Sequence, residues 1–433
     1  IAIPYLNVTT LDKSAVAPGF VFVAPFKNAI SGPLIYDQDG GLVWTGSDGF
    51  AAAAGAGPHV YIFEPCRYRD TSAARRHDDE HHLCMLRSIN DGGSGRGHAF
   101  ILDASYEMVR EIRFSGASPA VDLHELRLVE GPTGDNQTSA ILTQYRPIAA
   151  DLSRYGIPGL GWVHDSVFQE QRLSDGAVLF KWAASDHIAF DEAAIVFYSG
   201  VTPNDPWDYF HINSVQKLED GDYLVGARHT SAIYRISGRD GSVVWRLGGR
   251  KSDFDMIKGP LDHGTRPPAV KRESGAPAGR KRDTRRGGDE EGDGVDDGWF
   301  YYQHHATLLR NETGLLTFSI FDNGRTQSRE ARSYSRGLLL TVDERARTAS
   351  VRAEYHSPAA PREAQLAGSM QVLENGNVLV SWGNTGCLAE YTDDNRPVFE
   401  ACLRDTPTPA LYRAHKTAAW RGRPRTRPAI AAF

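Results

Sequence analysis

Three histidines open similar strand units: Asp122-Leu-His124-Glu125, Tyr209-Phe-His211-Ile-Asn213-Ser214 and Tyr302-Gln303-His304-His305. Near pH 7 a neutral imidazole is a nucleophile, a base and a metal ligand. The spacing of these three lacks the short His-x-His or His-x-x-x-His pair that builds most zinc sites, so no metal is expected there. Arg228, in Gly226-Ala-Arg228-His229, follows the strand after His211. A guanidinium beside imidazoles suits a planar array of anionic oxygens. Nearby N–H donors would stabilise charge gathering on those oxygens. Together these residues point to group transfer through histidine. One such histidine alone would more simply be structural; three in register with an arginine favour a site.

Bringing them together requires a repeat. Six segments read as two strands joined by a polar turn: Ile35–Thr45, Ile101–Ile112, Val167–Trp182, Ile233–Leu247, Leu338–Tyr355 and Leu388–Leu403. Each alternates apolar and polar residues around a Gly or Asx turn, which is hairpin chemistry. The first four start at nearly constant spacing, the signature of a propeller blade. A second strand pair precedes most of them, at His124–Arg146, His211–Arg228, His304–Asn323 and Ser369–Gly383. Pair plus pair gives a four-stranded blade, and equivalent innermost strands face one channel. The fold class expected is all-β, one six-bladed β-propeller over residues 1–433. The remaining pairs are expected near Tyr5–Ile35 and Ala51–Glu64, and Pro361–Ala367 offers at most a turn of helix.

Segment 265–298 breaks the period. It carries eight basic and eight acidic residues, seven Gly, three Pro and no aromatic residue. Such a stretch cannot bury a core and reads as a flexible insertion, its two charge signs cancelling. Over the whole chain 48 Lys plus Arg face 54 Asp plus Glu, a formal charge of −6, which argues against nucleic acid as a partner. No apolar run reaches membrane-span length. The start at Ile1, without Met, suggests processing or truncation. Cys66 with Cys84, and Cys387 with Cys402, read as two local disulfides. Sequons at Asn7, Asn136 and Asn311 are candidate glycosylation sites. Disulfides and sequons together predict a secreted protein or one of the secretory pathway. Nothing in the sequence sets an oligomeric state.

The chain resembles the arylsulfotransferase family, in its fungal secreted branch. The resemblance rests on Ala120–Glu125, Asp165–Glu170, Trp207–Ser214, Arg228–Tyr234, Trp245–Gly249, Gln303-His304, Phe321–Gly324, Ser335–Gly337 and Gln371–Val378. It implies a six-bladed propeller that moves a sulfuryl group from a phenolic sulfate ester to a phenol, without a nucleotide sulfate donor or a cofactor. In that picture His304 takes the group covalently. His211 and Arg228 hold its oxygens, and His124 is a further catalytic residue. Trp207, Tyr209, Tyr302, Asn213 and Gln303 would contact a small aromatic or phenolic substrate, unless the aromatics are ordinary core, the commoner fate of propeller aromatics. His305 stands where the fungal pattern has an acidic residue. Some fungal propellers are thought to catalyse cyclisations such as hetero-Diels–Alder reactions, which need an aromatic-lined pocket more than a nucleophile. Trp162, Phe210, Trp299 and Tyr301 add to the aromatics flanking the channel residues. A third alternative is a propeller that binds a ligand without turnover.

Overall fold

The computed structural model describes residues 4–26, 32–46, 58–69, 81–131, 138–194, 199–257, 299–324, 334–357, 361–404 and 409–424. Segment 265–298 and Asn136 lie outside them. Six sheets surround a channel as a six-bladed β-propeller. Every expected hairpin is the outer strand pair of one blade, and we number the blades in that order. The turn chemistry is visible in blade one, where Asp37 Oδ1 accepts the N–H groups of Asp39 (3.0 Å) and Gly41 (2.7 Å). Gly40 between them has a φ of 87°, open to glycine at little cost. Among the described residues helix is confined to single turns, and Pro361–Ala367 is irregular. None is long and apolar enough to cross a membrane.

The innermost strands are Ala410–Thr417, His59–Cys66, Leu126–Glu130, Ile212–Lys217, His304–Glu312 and Ser369–Val372, for blades one to six. The first was not expected. The N-terminal stretch does not build a blade alone. Tyr5–Leu11 adds a fifth strand to blade six by pairing with Pro397–Arg404. Phe20–Phe26 pairs with Ala410–Thr417 in blade one. Both ends of the chain thus close the ring, which leaves fewer unpaired sheet edges. Blade five also has a fifth strand, Asp255–Met256, parallel to Thr348–Tyr355. The uniform four-stranded blade is therefore corrected in two places. In blade two, His59–Cys66 pairs with His82–Asp91, a strand the hairpin repeat did not signal.

Polar groups stitch neighbouring blades. Trp182 Nε1–H donates to the Gly241 carbonyl (3.1 Å), and Trp245 Nε1–H to Glu344 (2.7 Å). Lys416 and Glu390 pair at 2.7 Å, both fully buried. Cys66–Cys84 and Cys387–Cys402 are disulfides, compatible with an oxidising compartment. Asn311 lies near the exposed end of its strand, before a turn in which its Oδ1 accepts the Gly314 N–H (3.1 Å). Asn7 lies half-buried in a strand, opposite Cys402.

A buried cluster of contacts crosses the channel. Arg413 of blade one donates to both carboxylate oxygens of Glu125 in blade three (2.9 and 3.1 Å). It also donates to the carbonyls of His124 (3.1 Å) and Asn213 (3.0 Å). Glu125 in turn accepts the N–H groups of Leu126 (3.1 Å) and Val215 (3.0 Å). Removing one member leaves a buried charge without its partner, which costs about 3–5 kcal/mol. Glu125→Ala is therefore expected to lower the denaturation midpoint sharply. Replacing both members by apolar residues, in Glu125→Leu with Arg413→Met, should recover most of it. Equal losses in the single and double variants would show that the pair is not the brace.

Candidate functional site

The channel mouth where the innermost strands begin holds a cavity of about 560 Å3. His124, His211, His304 and Arg228 all line it. His124 lies two residues before its innermost strand, His211 one before, and His304 is the first residue of its own. Two backbone irregularities turn the rings inward. His211 has a φ of 58°, a sparsely populated conformation for a residue with a side chain. The pairing of blade five shifts register between His304 and Thr307, and such bulges re-aim side chains. His305, inside that shift, also has positive φ (54°) and faces a different cavity.

Each of the three imidazoles is held through Nδ1. His124 Nδ1–H donates to Asp122 Oδ2 at 2.7 Å. Asp122 is fully buried and also accepts from the Gly95 N–H (2.6 Å), the His124 N–H (3.0 Å) and the Thr143 hydroxyl (3.2 Å). His211 Nδ1–H donates to Asp208. His304 Nδ1–H donates to Asn323 Oδ1 at 2.7 Å. The Asn323 amide cannot turn over, because its Nδ2 donates to the carbonyls of Ala364 (2.7 Å) and Ala367 (3.0 Å). Asn323 therefore fixes His304 as the Nδ1–H tautomer and leaves the lone pair on Nε2. Carboxylates back His124 and His211, whereas His304 is backed by a neutral amide.

Arg228 lies over the Tyr302 ring, 4.3 Å from its centroid. It donates from Nη1 to His229 Nε2 (2.7 Å) and from Nη2 to the Gln365 carbonyl (3.3 Å). Its Nε is buried without a partner. His229 Nδ1–H donates to the Asp208 carbonyl (2.5 Å), so His229 is a neutral prop for the arginine. Burial pushes His211 and His304 well below the ordinary imidazole value, with neighbouring cationic groups adding to the effect. Burial takes His229 down to about 3. The described donor atoms compact enough for one ion belong to Asp208, His211 and His229. In that group both imidazoles already donate into Asp208.

Among the described residues, none of the five expected at the substrate lines this cavity. Trp207 and Tyr209 are fully buried with Tyr155 and Phe190, because their side chains face the interior of the sheet packing. Tyr302 supports Arg228. Asn213 Nδ2–H donates to the Gln303 carbonyl (2.7 Å), and Gln303 Nε2–H donates to the carbonyls of Ala227 (3.0 Å) and Ala232 (2.8 Å). That stitch joins blades four and five beside His211 and His304. The aromatic wall consists of Phe26, Tyr61 and Tyr412, from the first two blades. Phe26 and Tyr61 are 4.9 Å apart, and Tyr412 is 5.6 Å from His124. Sequence reasoning missed Asp122, Asp208 and Asn323. The first two stand two and three residues before their histidines, a local signal. Asn323 is joined to His304 only by strand pairing.

The arylsulfotransferase (ASST) family model matches residues 78–261 and 283–404. No curated protein matches the chain. Among solved structures, a Bacteroides caccae protein of unknown function is 10% identical, with 92% of this chain and 98% of that one covered and a TM-score of 0.44. Citrobacter koseri AztD is 9% identical, with 93% and 99% covered and a TM-score of 0.30.

The buried imidazoles predict a pH dependence of stability. His211, His304 and His305 are held well below 6.5, and His415 at about 4. The unfolded chain takes up these protons first, so stability falls as pH drops below 6.5. For His415 the loss continues to about pH 4. Each such group contributes about 1.4 kcal/mol per pH unit inside its window. Denaturation midpoints from pH 7 to pH 5 should fall steeply, and a flat profile would contradict neutral buried rings.

Proposed function

The chain belongs to the arylsulfotransferase family, and from that premise we propose that the cavity moves a sulfuryl group between phenols through His304. One observation carries the reading. Three imidazoles around one cavity commit Nδ1 to protein acceptors and leave Nε2 without a partner among the described residues, beside an arginine.

The aryl ring of the donor lies against the wall of Phe26, Tyr61 and Tyr412. Arg228 faces the sulfuryl oxygens, whose charge it neutralises. The lone pair of His304 Nε2 attacks sulfur. The bond from sulfur to the phenolic oxygen breaks, and the phenolate leaves with its electron pair. An acceptor phenol then gives its proton to Nε2 of His211 or His124. The carboxylates Asp208 and Asp122 stabilise the resulting imidazolium. The acceptor oxygen attacks sulfur, the bond to nitrogen breaks, and His304 is restored. The stored proton passes to the next departing phenolate. No cofactor or nucleotide donor takes part. Lowered imidazole pKa values keep the nucleophile and base unprotonated at neutral pH. Membership of a fungal secreted branch, with glycans at Asn7, Asn136 or Asn311, is part of the same proposal.

The experiment uses 4-nitrophenyl sulfate with and without an added phenol. Without acceptor, intact-mass spectrometry should find one sulfuryl group, mapping to His304. His304→Ala should lose turnover by a factor of about 10³ or more. Asp208→Asn should lower kcat by about 10-fold or more while the protein still folds. Unchanged turnover in His304→Ala would remove the covalent assignment and favour a shaped pocket. Separately, the acid limb of kcat/KM should lie below pH 6.5; a limb above that value would contradict the neutral nucleophile.

A further inference from the structure

The opposite mouth of the channel, where the innermost strands end, holds a second cavity of about 550 Å3. None of the residues proposed for sulfuryl transfer lines it. Arg127, in the innermost strand of blade three, does, and its side chain has no hydrogen bond or ion pair among the described residues. Glu64, in the innermost strand of blade two, is unpaired in the same way. Burial pushes the Glu64 carboxyl up, against the pull of Arg413 and Arg127, towards the neutral form that donates a hydrogen bond. His305 also faces this cavity. Its Nδ1 contacts the Met370 carbonyl at 3.1 Å, and burial keeps the ring neutral.

An independent observation points to a ligand. Ser319 and Thr307 face each other across the inner strand pair of blade five, and both line the cavity. Both hydroxyl oxygens are buried without a partner, and Ser319 is only 1% exposed. Orphaned buried hydroxyls cost stability and call for an explanation such as a bound group. The charge sum narrows its identity. Among the described residues Arg67 has Glu130 nearby (3.9 Å), burial disfavours the charged forms of Glu64 and His415, and Arg127 is the cation left without a hydrogen-bonded partner. Leu128, Met370, Val372 and Trp420 supply an apolar wall.

We propose that this second cavity binds a small organic carboxylate, with Arg127 forking the carboxylate, Ser319 and Thr307 donating to it, and the apolar wall receiving its body. A guanidinium matches a carboxylate through two parallel N–H bonds. The apolar wall favours an organic ion over a hydrated inorganic one. Because this site shares no residue with the sulfuryl cavity, it stands whether or not sulfuryl transfer does.

The test is thermal unfolding of the full chain titrated with 4-fluorobenzoate. Binding should raise the midpoint, equally in wild type and in Arg228→Gln, whose change lies in the other cavity. Arg127→Gln should weaken the dissociation constant about 10-fold or more. Ser319→Ala should weaken it too, while leaving the ligand-free midpoint unchanged or higher, since an unpartnered hydroxyl is removed. If Arg127→Gln itself unfolds, Ser319→Ala decides. The proposal fails if wild type shows no shift at millimolar ligand, or if the shift survives Arg127→Gln. It also fails if the shift disappears in Arg228→Gln, or if sodium sulfate at equal ionic strength reproduces it.

Discussion

Arg413 spans the channel axis to Glu125, and much of the molecule is arranged around that buried pair. Taking two charges out of water costs several kcal/mol for each ion, and attraction alone rarely offsets it. Here the offset comes from saturation. Arg413 reaches two carboxylate oxygens and two backbone carbonyls, while Glu125 also accepts two backbone N–H groups. Those groups belong to blades one, three and four. The contact thus fixes the closing C-terminal strand against the far side of the ring.

The pair also divides the channel. At each of three inner strands, a residue in the strand or just before it lines the first cavity and a nearby later one lines the second: His124 then Arg127, His304 then His305, Tyr412 then His415. Arg413 and Glu125 lie between. The bulge at His304 and His305 serves the same division, since adjacent side chains are sent to opposite chambers.

Within the first chamber the fold differentiates three chemically identical rings. Two are backed by carboxylates and one by an amide whose orientation two carbonyls lock. The strained backbone at His211 is retained because its own carbonyl accepts the Arg228 N–H (2.9 Å), which ties ring and guanidinium together. Stitches such as Asn213 to Gln303 then carry that geometry from one blade to the next.

The sequence by itself determined what local chemistry determines. Strand alternation around Asx or Gly turns marked all six outer hairpins, and strand starts in register marked His124, His211 and His304. Both signals work because a hairpin is specified by residues close together in the chain. Tertiary structure alone decided three other things. It moved Ala410–Thr417 into blade one and Tyr5–Leu11 into blade six, because those pairings join opposite ends of the chain and leave no local pattern. It sent Trp207 and Tyr209 to the core and gave the cavity wall to Phe26, Tyr61 and Tyr412, because which face of a blade an aromatic takes depends on its neighbour blade. It also set Asn323 against His304 and Arg413 against Glu125. These partners are distant in sequence and adjacent only once the ring is closed.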